Sequence, residues 1–312
     1  MSPLRTPFQA QRVLVTGANG FIGRHVLNRL SELGADVFTL TRATINSYSN
    51  LTQFQGDIRD ATFVNEAVSK AAPNFIFHLC AYKSRGGDIG DFAPAIETNL
   101  IGSLNLISAA RMLPALRSIV VIGTAEEYGG NPAPFIEDMR ERPVSAYSFS
   151  KLCLSQLSQL LSRVHDVPLT VLRPTLAYGP GQKEDMFLPA LIGKLIRGEP
   201  FDMTAGRQTR DFIFVSDVVD AMIKAAARPS AIGEIINIGS HLPITMADLA
   251  LMVEKMTGKT GLVQLGALPY RKGEVMNYWV DNDKAARLLQ WSPIVTLEEG
   301  LSETIAHYRD KP

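Results

Sequence analysis

Cysteine is nearly absent from this sequence: there are two in 312 residues, Cys80 and Cys153, with neither a CxxC nor a metal-ligand spacing. That usage excludes a disulfide-stapled scaffold and a zinc ribbon, and it predicts free, buried thiols in a reducing compartment. The histidines are few and scattered (His25, His78, His165, His241 and His307), so no metal site is expected and each is read as structural. Neither sign of charge is in excess, with 31 Lys plus Arg against 31 Asp plus Glu. No global field therefore draws the chain to a nucleic acid polymer or an acidic membrane. No apolar run approaches the roughly 20 residues that span a bilayer. Residues 1–10 lack both a basic n-region and a long apolar stretch, so no secretory signal is read there. Internal repeats and low-complexity linkers are missing as well. The expectation is a cytoplasmic protein with a substantial core.

What is present is an alternation. Short apolar runs at 12–16, 36–41, 51–55, 74–79, 118–122 and 169–172 are separated by amphipathic, helix-like stretches at 20–33, 61–71, 94–113 and 147–164. Continuous apolar strands alternating with helices predict a parallel sheet covered on both faces. The fold class expected is α/β, a Rossmann-type doubly wound sheet over residues 1–173. A smaller α/β substrate-binding domain follows over 174–312, with some segments interleaved. Its helices are expected near 188–197, 217–227, 246–256, 281–289 and 297–308. Ligands of such a sheet bind beyond the carboxyl ends of the strands.

The first of those ends carries Thr16-Gly17-Ala18-Asn19-Gly20-Phe21-Ile22-Gly23. Glycines here let the backbone turn tightly and approach a pyrophosphate, and the following helix offers unpaired N–H groups. A strand before and a helix after make this a dinucleotide site rather than an ordinary turn. The end of the second strand speaks to which dinucleotide. NAD-selective sites place a carboxylate there for the ribose 2′-hydroxyl, but this chain has Thr41-Arg42. Arg42, helped by Arg24, suits a 2′-phosphate, so NADP(H) is preferred, with NAD as the alternative. Gly56-Asp57-Ile58 is placed to reach the adenine edge.

Tyr147 and Lys151 are four residues apart and share a helix face. An ammonium beside a phenol favours the phenolate, so Tyr147 is expected to be an acid–base with its pKa lowered toward working pH. Lys151 would also reach the nicotinamide ribose. Thr124, at the end of the run 118–122, is the hydroxyl placed to bond the same substrate oxygen.

With these residues in hand, the chain resembles the extended short-chain dehydrogenase/reductases of the nucleotide-sugar epimerase/dehydratase/reductase group. The resemblance covers nearly the whole chain. It includes His78-Leu79-Cys80-Ala81, Asn99, Thr124 to Gly129, Arg173-Pro174, Tyr178-Gly179-Pro180-Gly181-Gln182, Arg210-Asp211-Phe212, Arg271-x-Gly273-Glu274 and Leu289-x-Trp291-x-Pro293. It implies Thr124, Tyr147 and Lys151 as the catalytic hydroxyl, acid–base and helper lysine. Leu79, Ala81, Asn99 and Pro174 are implied around the cofactor, Asn99 supporting a helix and the active-site water network. Arg210 and Arg271 are implied on the diphosphate of a nucleoside-diphosphate sugar, a role that suits two guanidinium forks. The helices 94–113 and 147–164 would form a homodimer interface.

Within the group, hydride exchange at a sugar carbon, usually C4, serves 4-epimerases, 4,6-dehydratases and 4-ketoreductases. Dehydratases read Thr-Asp-Glu or Thr-Ser-Glu where this chain has Thr124-Ala125-Glu126. The base candidate Glu126 is kept, but Ala125 has no proton to give. Leucine (Leu176) also replaces the Asn that contacts the sugar diphosphate in many members, with Thr175 as partial compensation. Lys83 and Ser84, in the glycine-rich segment 82–88, are candidate sugar contacts. The favoured expectation is an NADPH-dependent reductase of a 4-keto-6-deoxy nucleotide sugar. The alternatives are an NAD-dependent epimerase or dehydratase, a non-enzymatic dinucleotide sensor, and a dehydrogenase of a steroid or flavonoid carbonyl, which Arg210 and Arg271 oppose.

Overall fold

A computed structural model describes residues 7–46, 48, 51–83, 88–271 and 273–310. Its frame is a sheet of seven parallel strands. Six come from the first 174 residues: β1 (Arg12–Thr16), β2 (Asp36–Thr41), β3 (Thr52–Gln55), β4 (Phe75–His78), β5 (Ser118–Ile122) and β6 (Leu169–Pro174). The seventh, Ile235–Ile238, is added from far along the chain and pairs with β6. The spatial order is Ile235–Ile238, β6, β5, β4, β1, β2, β3. β1 pairs with β2 on one side and β4 on the other, so the winding reverses there. A crevice opens at the carboxyl ends of β1 and β4, where doubly wound sheets hold their ligands.

Strands covered on both faces are mostly apolar, and β4, β5 and β6 are buried at every residue. On one face, helix α1 (Phe21–Glu32) and the helix Val215–Ala227 bury Val26, Leu30, Val218 and Met222 with Val15 and Phe77. On the other, α2 (Ala61–Ala71), Gly102–Ala110 and Ala146–His165 bury Val64, Leu106 and Leu154 against Leu14 and Val121. Each such side chain contributes about 1.5–3 kcal/mol of transfer free energy.

The helix expected over 94–113 is observed as three contiguous pieces: Phe92–Ala95, a π-helical stretch Ile96–Ile101, and Gly102–Ala110. The π stretch turns Asn99 fully inward. Asn99 Nδ2 donates to Tyr82 O (2.9 Å) and to Ser150 Oγ (2.9 Å), and Oδ1 accepts from Tyr82 N (2.6 Å). Directly after it, a Cβ on Gly102 would stand 2.6 Å from Ile58 Cγ2, so only glycine lets the helix lie this close.

Beyond β6 the chain builds a smaller lobe around a core that includes Tyr178, Leu191, Phe214, Leu249 and Leu301. Its sheets are short: Leu176–Tyr178 with Phe212–Phe214, Phe201–Met203 with Val263–Leu265, and Thr209–Arg210 between Ile244–Thr245 and Asn277–Tyr278. The lobes are interwoven, since Val215–Ala227, Ile235–Ile238 and Asp283–Leu289 all return to the large sheet's layers. Trp291 is locked into the first core, its Nε1 donating to Asp217 O at 3.1 Å. His25 Nε2 on α1 donates to Pro180 O (2.9 Å), tying the lobes together beside the crevice.

Candidate active site

Two adjoining cavities share Phe21. One, of about 460 Å³, lies over the carboxyl ends of β1, β2 and β4. The other, of about 660 Å³, opens between the lobes.

The smaller cavity is built on the turn after β1. Gly17 has φ +69°, and a Cβ on it would meet Cys80 N and Leu79 C at 2.6 Å. Backbone therefore forms the cavity floor at that point. Gly20 caps α1 without any side-chain bond to the helix's free amides, and no acid stands in its first turn. That combination suits a phosphate. A Cβ on Gly23 would stand 2.4 Å from Gly17 O, so Gly23 packs the helix against the turn and does not line the cavity. Asn19 Nδ2 donates to Ala43 O at 2.8 Å, bracing the loop after β2. Gly17, Asn19, Gly20, Phe21, Arg24, Arg42, Asp57, Ile58, Leu79 and Ala81 all line this cavity. Arg24 and Arg42 are exposed at its rim. The Asp57 carboxyl sits below the usual range, chiefly through its bond to Arg59, which the sequence reading missed. Cys80 also lines this cavity and Cys153 is half-buried, so the expectation of fully buried thiols is corrected: both are free, and Cys80 faces an open crevice. A glycine floor, an uncapped helix start and two rim arginines fit an extended dinucleotide.

His78, at the end of β4, is fully buried. Its Nδ1 accepts from Thr16 Oγ1 and its Nε2 donates to Ser103 Oγ, both at 2.7 Å. Ser103 Oγ in turn donates to Asn99 O (2.6 Å), which fixes the tautomer. Burial, with Lys151 nearby, brings this imidazole down to about 3 and holds it neutral. Its role is structural. Asn99, expected at the cofactor, is corrected likewise: with its amide engaged by Tyr82 and Ser150, it lines neither cavity and instead ties the post-β4 loop to the helix Ala146–His165.

That helix starts at Ser145, whose Oγ accepts from Ser148 N (3.1 Å) in a capping box, so Tyr147 stands in the first turn. Tyr147 lines the larger cavity together with Ile22, Lys83, Thr124, Glu126, Pro174, Thr175, Arg210 and Arg271. Lys83 Nζ lies 5.1 Å from the centre of the Tyr147 ring and 3.5 Å from Glu126 Oε1. Ser84 lies outside the described residues. Lys151 is 1% exposed and sits behind the cavity wall, donating to Ile122 O at 2.7 Å.

This arrangement overturns the expected phenol acidity. Burial, joined by the carboxylates of Glu126 and Glu127, pushes the Tyr147 phenol up, away from the phenolate. Lys151 is brought down to about 8 by burial, with Glu127 opposing. Thr124 caps the short turn Ala125–Glu127, its Oγ1 accepting from Glu126 N at 3.2 Å. Ala125 is fully buried in a small core with Tyr128, Phe135 and Tyr278, so no proton donor faces the cavity from that position.

On the small lobe, Arg210 is braced by Thr209 O and Val275 O (both 2.8 Å) and pairs with Glu274, which the sequence reading had quoted only as part of a motif. Arg271 is exposed at the cavity edge. Leu176 lines the wall as an apolar residue. Thr175 also lines the cavity, with its hydroxyl buried and without a hydrogen-bond partner among the described residues.

Among the described residues, no helix is long and apolar enough to cross a membrane, and no cluster of His, Cys, Asp or Glu could hold a metal ion. A UDP-glucose 4-epimerase of Mycolicibacterium smegmatis is 29% identical over 96% of this chain and 99% of its own length. The structure of a UDP-glucose 4-epimerase from Thermotoga maritima, with UDP-glucose, superimposes with a TM-score of 0.89 at 30% identity, covering 95% of this chain and 98% of that one. DesIV, a dTDP-glucose 4,6-dehydratase from Streptomyces venezuelae with NAD bound, gives 0.86 at 26% identity over 96% and 97% of the two chains. The family model for NAD dependent epimerases and dehydratases matches residues 13–239, and the chain belongs to that family.

Proposed function

We propose that this enzyme is an NADP(H)-dependent 4-ketoreductase of a nucleoside-diphosphate sugar, with a 4-keto-6-deoxy sugar as substrate. The observation that carries the reading is Tyr147 lining the larger cavity with Thr124 and Glu126, while Ala125, between those two, is buried and offers no acid for elimination. Gly17, Gly20, Arg24, Arg42 and Asp57 would hold the dinucleotide, with Arg24 and Arg42 favouring a 2′-phosphate. Bound there, it supplies a hydride to a carbonyl carbon.

The chain's own groups handle the oxygen of that carbonyl. Thr124 Oγ1 orients it, and Tyr147 gives it a proton as the C=O becomes an alcohol. Lys151 lies one helical turn away and stabilises the phenolate left behind. Arg210, with Arg271 at the rim, holds the diphosphate, and Lys83 and Glu126 face the sugar. The exposed apolar residues Phe92, Ile101, Phe149, Leu160 and Val164 support a homodimer through the helices that carry them. Free thiols and balanced charge support a cytoplasmic setting.

The relatives' names favour a second reading, a 4-epimerase that returns its cofactor unchanged. One experiment separates the two. Purified enzyme is given NADPH with a panel of 4-keto nucleotide sugars and, separately, UDP-glucose with NAD. Stoichiometric loss of NADPH with a keto sugar is expected. UDP-galactose formation without net cofactor change, and no NADPH loss with any keto sugar, would replace the reductase by the epimerase.

A further inference from the structure

Arg173 stands inside the apolar strand β6 with no exposed surface. A guanidinium there requires partners, and both come from outside the strand. Glu127 Oε2 lies 2.8 Å from its Nε and 2.7 Å from its Nη2, and Glu141 Oε1 lies 2.7 Å from the same Nη2. Glu127 is itself completely buried, and its other oxygen reaches the active-site turn: Oε1 accepts from Thr124 N at 2.9 Å. A Cβ on Gly123 would stand 2.7 Å from that oxygen, so the glycine makes room for the carboxylate under the end of β5. Lys151 Nζ holds the neighbouring Ile122 carbonyl. The backbone from Ile122 to the catalytic threonine is thus gripped by a lysine at one end and by a carboxylate at the other.

We propose that Glu127 is a positioning residue for proton transfer, fixing the Thr124 backbone and acting as the buried countercharge of Lys151 while Arg173 and Glu141 clamp it in place. This rests on the reading of Thr124, Tyr147 and Lys151 as the reacting set. The groups that act on Lys151 are Glu127 from the turn, His78 and Cys80 at and after β4, and Lys83 from the loop beyond. Burial works against the Lys151 charge, and Glu127 leads the groups that sustain it, while Lys83 opposes. Removing the Glu127 charge therefore lets Lys151 lose its proton at lower pH.

The test uses two variants. Glu127→Gln keeps an oxygen for the Thr124 amide and removes only the charge. With the nucleotide sugar active in the panel above, kcat is expected to fall about tenfold, KM to stay within about twofold, and the alkaline limb of the rate profile to move down by about one pH unit. Glu127→Leu, which has no oxygen for the amide, is expected to lose about a hundredfold. NADPH fluorescence titrated across pH needs no turnover, so it reads the same downward move even if the panel is inactive and the functional reading has failed. Where Glu127→Gln does not fold because Arg173 is left underpaired, the double variant Glu127→Gln, Arg173→Met removes both charges and carries the same expected move. A folded variant with unchanged kcat and unmoved pH midpoints overturns the proposal.

Discussion

Tyr147 stands where the larger cavity meets the helix Ala146–His165, its phenol kept protonated by burial and by two acidic neighbours. Replacing it with Phe removes the proton and little else. Turnover is expected to drop at least about a hundredfold with NADPH affinity unchanged, as measured by steady-state rates and fluorescence titration. Arg42 is a different kind of residue, exposed at the rim of the smaller cavity. Arg42→Ala should weaken NADPH about tenfold relative to NADH, and added salt should narrow that gap, because an exposed charge is screened. His78 gives a stability signature. Its folded-state pKa, about 3, lies below the unfolded value, so the unfolded chain binds the extra proton first. Its contribution is complete above the unfolded pKa and is lost as pH falls from about 6.5 toward about 3. Thermal midpoints measured across that window should fall, and His78→Asn should flatten the slope. The Tyr147 and Lys151 pair was legible because four-residue spacing is a local fact. Glu127 was not, because its meaning depends on Arg173, 46 residues on. The one available signal was an arginine in an otherwise apolar strand.

Elements were legible where burial is continuous. β1, β2 and β5 are observed over the runs read from the sequence, each buried along all or nearly all of its length. The π stretch Ile96–Ile101 left no such trace. It is set by what Asn99 meets across space, and hydrophobic periodicity carries no record of Tyr82 or Ser150. That makes Asn99 a test of the element. Asn99→Ala strips three bonds from a buried junction, and urea unfolding should show a loss of about 1–3 kcal/mol. The turn after β1 is stricter still. Gly17→Ala would place a methyl group against the backbone of Leu79 and Cys80 at a positive φ. Dinucleotide affinity should fall below detection by fluorescence while the far-ultraviolet circular dichroism stays unchanged.

For the whole molecule, the exposed apolar residues on two neighbouring helices set the expected assembly. Phe92 and Phe149 lie 5.9 Å apart, ring to ring, on the surface, with Leu160 and Val164 further along the same helix as Phe149. Sedimentation should give a dimer, and Phe149→Glu with Leu160→Glu should give a monomer. The change of pattern after Arg173-Pro174 is the sequence signal for a second, smaller domain, and it falls at the end of β6. What the pattern could not convey is how often the later chain goes back to the first sheet, because Ile235–Ile238 reads like any short apolar run. That return has a consequence for biosynthesis. A ribosome finishes β6 some 60 residues before it makes the strand that flanks it, so the growing polypeptide carries an open, hydrophobic ladder as it emerges. Until residue 238 emerges, that ladder is free to pair with a stranger, and the yield of this enzyme in a cell is set by how long it stays uncovered.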